Sequence, residues 1–119
     1  MKYSNSGQSK LRIKQFLVKS HGPECQYCGI EIYPCEAHID HITPTLHGGS
    51  DEISNLRDCC ESCNKSKGSK TIEEYRLMKS VHASDYHPVI NYKQYLSLLE
   101  MGLITKKVKI VSFHFELEN

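Results

Sequence analysis

Hydrophobic positions recur at roughly helical spacing through residues 10–19, KLRIKQFLVK, where Leu11, Ile13, Phe16 and Leu17 are set among basic residues. The HGP stretch at 21–23 ends the run, so the pattern predicts a short basic amphipathic helix within an N-terminal segment 10–23. From Glu36 to Thr43 the alternation loosens to period two and predicts a strand. A loop from Pro44 to Ser50 follows, its Gly48-Gly49 pair permitting positive φ, and residues Asn55 to Cys59 predict the returning strand. Thr71 with Glu74 forms a capping-box pattern ahead of Ile72, Tyr75 and Met78, which predicts a helix of about ten residues. Asn91 with Gln94 opens another, YKQYLSLLEM, that Gly102 closes. The tail 107–117, KVKIVSFHFEL, is rich in β-branched and aromatic residues and predicts a strand, with a slip of phase at Ile110-Val111 that reads as a bulge.

A chain of 119 residues predicts a single domain, 1–119, with a modest core that needs a further staple. No apolar run approaches the ~18 residues of a membrane span, and the basic start MKYSNSGQSK lacks the apolar stretch of a secretory signal. No membrane association and a cytoplasmic location are therefore expected. The formal charge of +1 conceals an uneven distribution. Residues 1–23 carry five bases and no acid, residues 24–63 one base and eight acids, and residues 64–119 nine bases and six acids. An acidic middle flanked by basic ends suits a polyanion gripped around a cation-binding centre.

Six cysteines in a reducing compartment point to metal ligation rather than disulfides. Two C-x-x-C pairs, Cys25/Cys28 and Cys60/Cys63, supply the four thiolates of a tetrahedral structural Zn²⁺ site. Cys59 competes with Cys60 by adjacency, although the spacing to Cys63 favours Cys60, and Cys35 with His38 is a weaker competing pair. Otherwise Cys35 and Cys59 read as small buried hydrophobes.

The stretch HIDHITPTLHGGSDEISNL, His38 to Leu56, gathers groups of another kind. Adjacent residues on a strand point to opposite faces, so Asp40 can bind a cation while His41 addresses water. The Asp40 carboxylate is a hard ligand for Mg²⁺ or Mn²⁺, and a neutral His41 imidazole accepts a proton near neutral pH. Asn55 can bond backbone groups across the loop and hold His41 in register. Asn64, next to Cys63, is placed to offer its amide oxygen to the same cation, although by itself it reads as a helix N-cap. His38 shares the face of Asp40, and His47 lies beside the glycines.

The ordered elements CQYCG, IDHITP, GGSDEISNL and CESCNKSKG resemble the HNH endonucleases of the ββα-metal class. The resemblance implies an α+β fold: a small ββα-metal core over 24–80, braced by a four-cysteine zinc knuckle pair, with flanking helices and a C-terminal helix-strand extension at 81–119. It also implies that His41 is the general base, Asn55 the orienting asparagine and Asp40 the first metal ligand. Asn64 stands where the last histidine of the family falls, as in HNN members, and Lys67 matches the basic position after the second knuckle. An Asp/Asn oxygen pair favours Mg²⁺ or Mn²⁺ as catalytic ion over softer ions. The expected activity is hydrolysis of DNA phosphodiester bonds, by nicking or double-strand cleavage of duplex DNA with little sequence readout. Lys65, Lys67, Lys70 and His38 are expected at the nucleic acid, and a homodimer is one route to paired cuts. The competing readings are a non-catalytic zinc-ribbon module that binds nucleic acid and, more remotely, a C-x-x-C redox protein.

Overall fold

The computed structural model describes residues 7–104 and 108–117. They fall into two compact units, one drawn from Met1–Ile72 with Phe113–Asn119 and the other from Glu73–Ser112.

The first unit is built on α1 (Gly7–His21), β1 (His38–His41), β2 (Leu56–Cys59) and α2 (Glu61–Lys67). The two strands pair antiparallel with His38 opposite Cys59, Ile39 opposite Asp58, Asp40 opposite Arg57 and His41 opposite Leu56. Ile13 and Leu17 lie four residues apart on α1 and are buried in one cluster with Leu56, with Ile39 and Ile53 packed around it. Each such side chain contributes about 1.5–3 kcal/mol on burial. Leu11 and Phe16, read from sequence as part of the same stripe, are instead 52% and 41% exposed. The i, i+4 pair fixes the buried face, and the other two lie round the helix from it. At the end of α1, His21 Nδ1 stands 3.5 Å from Asp58 of β2, whose carboxyl is pushed up by burial.

Both C-x-x-C segments form tight knuckles. In the first, the Cys25 amide donates to Ile30 O at 2.8 Å and the Gly29 amide to Cys25 O at 2.9 Å. Gly29 adopts φ +82°, a conformation that costs glycine little and other residues more. In the second, the Cys60 side chain accepts from the Cys63 amide and so caps α2. Asn64 is therefore inside the helix, and the N-cap reading of it is corrected.

The tail is a further correction. The strand expected over 107–117 does not form at the described positions, 108–117, where irregular backbone leads into a 3-10 turn at His114–Glu116. The tail's backbone groups find other partners. The His114 amide donates to Tyr27 O at 3.0 Å, the Phe115 amide to Gln26 O at 2.8 Å, and the Phe113 amide to Glu116 Oε1 at 2.8 Å. Phe113 is buried edge-on to Tyr27, with ring centroids 5.3 Å apart. High β-propensity describes a side chain that suits a pleated surface, and the described sheet of this unit consists of the β1–β2 pair alone.

The second unit contains α3 (Ile72–His82) from Glu73 onward, and α4 (Tyr92–Glu100). Tyr75, Met78 and Val81 give α3 its buried side, and Tyr95 does so for α4. The box expected at Asn91 is formed, with the Gln94 amide donating to Asn91 Oδ1 at 2.9 Å and the Asn91 amide to Gln94 Oε1 at 2.8 Å. Ser80 Oγ donates to Arg76 O at 2.7 Å and accepts from the Val111 amide at 3.0 Å, which holds the segment returning along α3.

Candidate functional site

The two knuckles bring Cys25, Cys28, Cys60 and Cys63 together, with all four sulfur atoms within 4.8 Å of one another. Cys28 and Cys60 Sγ are 3.8 Å apart. A tetrahedral Zn²⁺ with Zn–S of about 2.3 Å requires sulfurs roughly 3.8 Å apart, so size and donor chemistry both fit one such ion. Amides also point at these sulfurs, Cys28 N at 3.5 Å from Cys25 Sγ and Cys63 N at 3.4 Å from Cys60 Sγ, which suits thiolates. Cys25 is held well below the usual thiol range, at about 4, chiefly by its hydrogen bond with Cys63, whereas burial pushes Cys28 up. The cluster contains Cys60 and not its neighbour Cys59. Cys59 is buried outside the cluster, and Cys35 is exposed rather than the buried hydrophobe expected.

Tyr27, between the first two ligands, connects this cluster to the hairpin. Its hydroxyl donates to Asp40 Oδ2 at 2.5 Å, and burial followed by the charge of Asp40 pushes the phenol far up. Asp40 is only 6% exposed. A second donor reaches the same oxygen: Lys67 Nζ is 3.1 Å from Asp40 Oδ2 and 2.8 Å from His41 O. Lys67 is completely buried. Sequence reasoning set Lys67 at the phosphate, but its ammonium is directed inward from the last turn of α2, where it neutralises a carboxylate that burial would otherwise penalise. Positive charge is thus already accommodated beside Asp40. With the hard amide oxygen of Asn64 on the neighbouring helix, the donor types fit Mg²⁺ or Mn²⁺. The buried Cys59 thiol is pushed up by burial and then by the charge of Asp40, and the Asn64 side chain offsets part of that rise.

His41, the next residue on β1, is about one-fifth exposed, and its Nε2 lies 2.8 Å from Asp51 Oδ1. The loop between them is closed by Asn55. Its Nδ2 donates to Thr43 O at 3.0 Å and Ser50 O at 2.8 Å, while its Oδ1 accepts from the Thr43 amide at 2.9 Å. Gly48 takes φ +83°. Gly49 is needed for a different reason, since a Cβ there would stand 1.7 Å from Thr43 O and 2.9 Å from Pro44 O. Backbone on that side leaves nothing flexible to yield, so Gly49→Ala should cost about 2–4 kcal/mol of stability and loosen the loop. Thermal unfolding of the variant checks this, and a melting temperature equal to that of the wild type contradicts it.

The remaining predicted contacts are scattered around this centre. Lys65 is exposed and paired with Glu61 at 2.7 Å, Lys70 donates to Ser66 O at 3.0 Å, and His38 is half-buried on β1. His47 Nε2 lies 3.1 Å from Ser69 O. Sequence reasoning gave no role to Tyr27 or Asp51. Tyr27 stood inside the C-x-x-C pair, where only the ligands were read, and Asp51 stood inside the G-G-S-D turn, ten residues from the ring it meets.

A sequence model of the HNH endonuclease family matches residues 25–80. Among solved structures, the crystal structure of the Type II-C Cas9 enzyme from Actinomyces naeslundii is similar over 76% of this chain, with a TM-score of 0.52 and 24% sequence identity. That likeness concerns the fold, and it spans 9% of the Cas9 chain. No curated protein sequence matches the chain.

Proposed function

Because a sequence model of the HNH endonuclease family matches residues 25–80, we propose that this chain hydrolyses phosphodiester bonds of double-stranded DNA, with His41 as general base and Mg²⁺ or Mn²⁺ held by Asp40 and Asn64. The observation that carries the reading is the pairing, on adjacent residues of β1, of a buried carboxylate and a partly exposed imidazole held from across its loop. The first suits a cation site and the second a proton acceptor.

His41 takes the proton from the water that attacks phosphorus, and the bond to the 3′ oxygen breaks, leaving 5′-phosphate and 3′-hydroxyl ends. Asn55 keeps the His41 loop closed, so the imidazole is presented without a search through loop conformations. Tyr27 and Lys67 fix the direction of the Asp40 carboxylate. Asp40 and Asn64 would hold the divalent ion, which would supply stabilisation of the charge on the phosphate and on the leaving oxygen. The four thiolates of Cys25, Cys28, Cys60 and Cys63 would hold a structural Zn²⁺, and the exposed Lys10, Arg12 and Lys19 of α1 would meet phosphates in a salt-sensitive way. Paired cuts come from two successive nicks or from a homodimer.

Supercoiled plasmid incubated with Mg²⁺, Mn²⁺ or EDTA tests the proposal. Nicked or linear product is expected with the first two ions and none with EDTA. The oxygen donor set further predicts that Zn²⁺ or Ni²⁺ supports cleavage poorly. Nickel as the best activator, with magnesium inert, would show that the donor set has been misassigned.

A non-catalytic zinc-ribbon module has one observation in its favour, the ammonium of Lys67 already seated on Asp40. Such a module shifts DNA on a gel in every one of these buffers and cuts it in none.

A further inference from the structure

We propose that Asp51 is the positioning residue for His41: its carboxylate accepts a hydrogen bond from the imidazole Nε2, fixes the tautomer, and leaves Nδ1 as the nitrogen that takes the proton. This deepens the nuclease reading and rests on the role assigned there to His41. Asp51 Oδ1 stands 2.8 Å from Nε2. An ionised carboxylate only accepts, so Nε2 must be the donor in this contact. A neutral imidazole with its proton on Nε2 carries its lone pair on Nδ1.

The contact is built rather than incidental. Asp51 directly follows Ser50, whose carbonyl accepts from Asn55, and Gly49 packs against Thr43 and Pro44 with its amide donating to Pro44 O at 3.0 Å. The Glu52 amide donates to Ser50 Oγ at 3.3 Å on the other side. The backbone of Asp51 is thereby held between anchored neighbours, and its side chain meets a ring on the strand that opens the loop. A base oriented by a third group is the arrangement that general-base catalysis recurrently uses. Asp51 is half-exposed, so its leverage is smaller than that of a buried triad aspartate, whose amide variant loses about 10⁴-fold.

The sign of the effect separates this role from that of an ordinary solvated charge. A carboxylate that merely stood near the substrate would repel phosphate, and removing it would leave cleavage unchanged or faster. A positioning carboxylate gives the reverse. Asp51→Asn and Asp51→Ala, made in the full chain, should cut plasmid about ten- to a hundredfold more slowly at saturating DNA, with KM for DNA unchanged or lower. Long-range proton–nitrogen NMR of the protein without DNA should show His41 as the Nε2–H tautomer, and a mixture in both variants, with their amide spectra reporting an intact fold. A wild-type Nδ1–H tautomer, or wild-type cleavage by either variant, overturns the inference. His41→Ala, assayed in parallel, keeps the two readings apart. If it cuts like wild type the general-base reading itself falls, whereas if it fails to cut while the Asp51 variants cut normally, only the role of Asp51 falls.

Discussion

Cys60→Ala is expected to lose the structural ion and with it the fold of the first unit, while Cys59→Ala, one residue away, keeps both. Cys60 is one of four sulfurs gathered within 4.8 Å, and its side chain also caps α2. The three remaining thiolates cannot close a tetrahedron, and the apparent binding free energy of structural zinc in zinc-finger peptides, about 10–16 kcal/mol, rivals the roughly 5–15 kcal/mol stability of a whole domain. The apolar cluster of Ile13, Leu17 and Leu56 is too small to offset that loss. Cys59 instead packs as a small buried side chain outside the cluster, so its truncation costs what a minor cavity costs, about 1–2 kcal/mol. Elemental analysis of the purified proteins should give one zinc per chain for the wild type and Cys59→Ala and none for Cys60→Ala, with circular dichroism following the same division. Full zinc in Cys60→Ala would remove Cys60 from the ligand set.

His41→Ala should behave in the opposite way, leaving the fold intact and lowering the rate of DNA cleavage by about 10²–10⁴-fold. Its ring is partly exposed and lies outside the apolar cluster, so truncation removes little packing. The backbone carbonyl of His41, which accepts from Lys67, is retained in the variant. Zinc content and melting temperature should therefore match the wild type while plasmid stays supercoiled in Mg²⁺. Cleavage at the wild-type rate would remove His41 from the chemistry, and a collapse of the melting temperature would make the rate uninterpretable as catalysis.

Local features of this chain are readable from sequence, as are the closures that a motif announces, such as the meeting of the two C-x-x-C pairs, while other closures are not. The C-x-x-C spacing dictates a knuckle because its hydrogen bonds join residues three to five apart, and the Asn91–Gln94 box is equally local. The hairpin is legible from alternation and the Gly48-Gly49 loop, and so is the reach of Asn55 across that loop. Three other features depend on where the chain returns. Lys67 reads as a surface lysine until α2 lies against β1, which turns its ammonium onto Asp40. Asp51 reads as a turn residue until the loop closes on His41. The tail reads as a strand by composition, yet its backbone bonds to the first knuckle and to Ser80 rather than to an edge of the sheet.

The buried Lys67 also bears on the order in which the molecule is assembled. A carboxylate awaiting a divalent ion inside a small core would ordinarily be a fault during folding, since until the ion arrived it would sit as an unpaired charge. Here the chain brings its own provisional cation, and the Asp40 pocket reaches electrical balance from its polypeptide alone. On the proposed reading, an ion among the thiolates would be needed from the start of folding, whereas one at Asp40 would arrive later and would have to displace or share with the ammonium of Lys67.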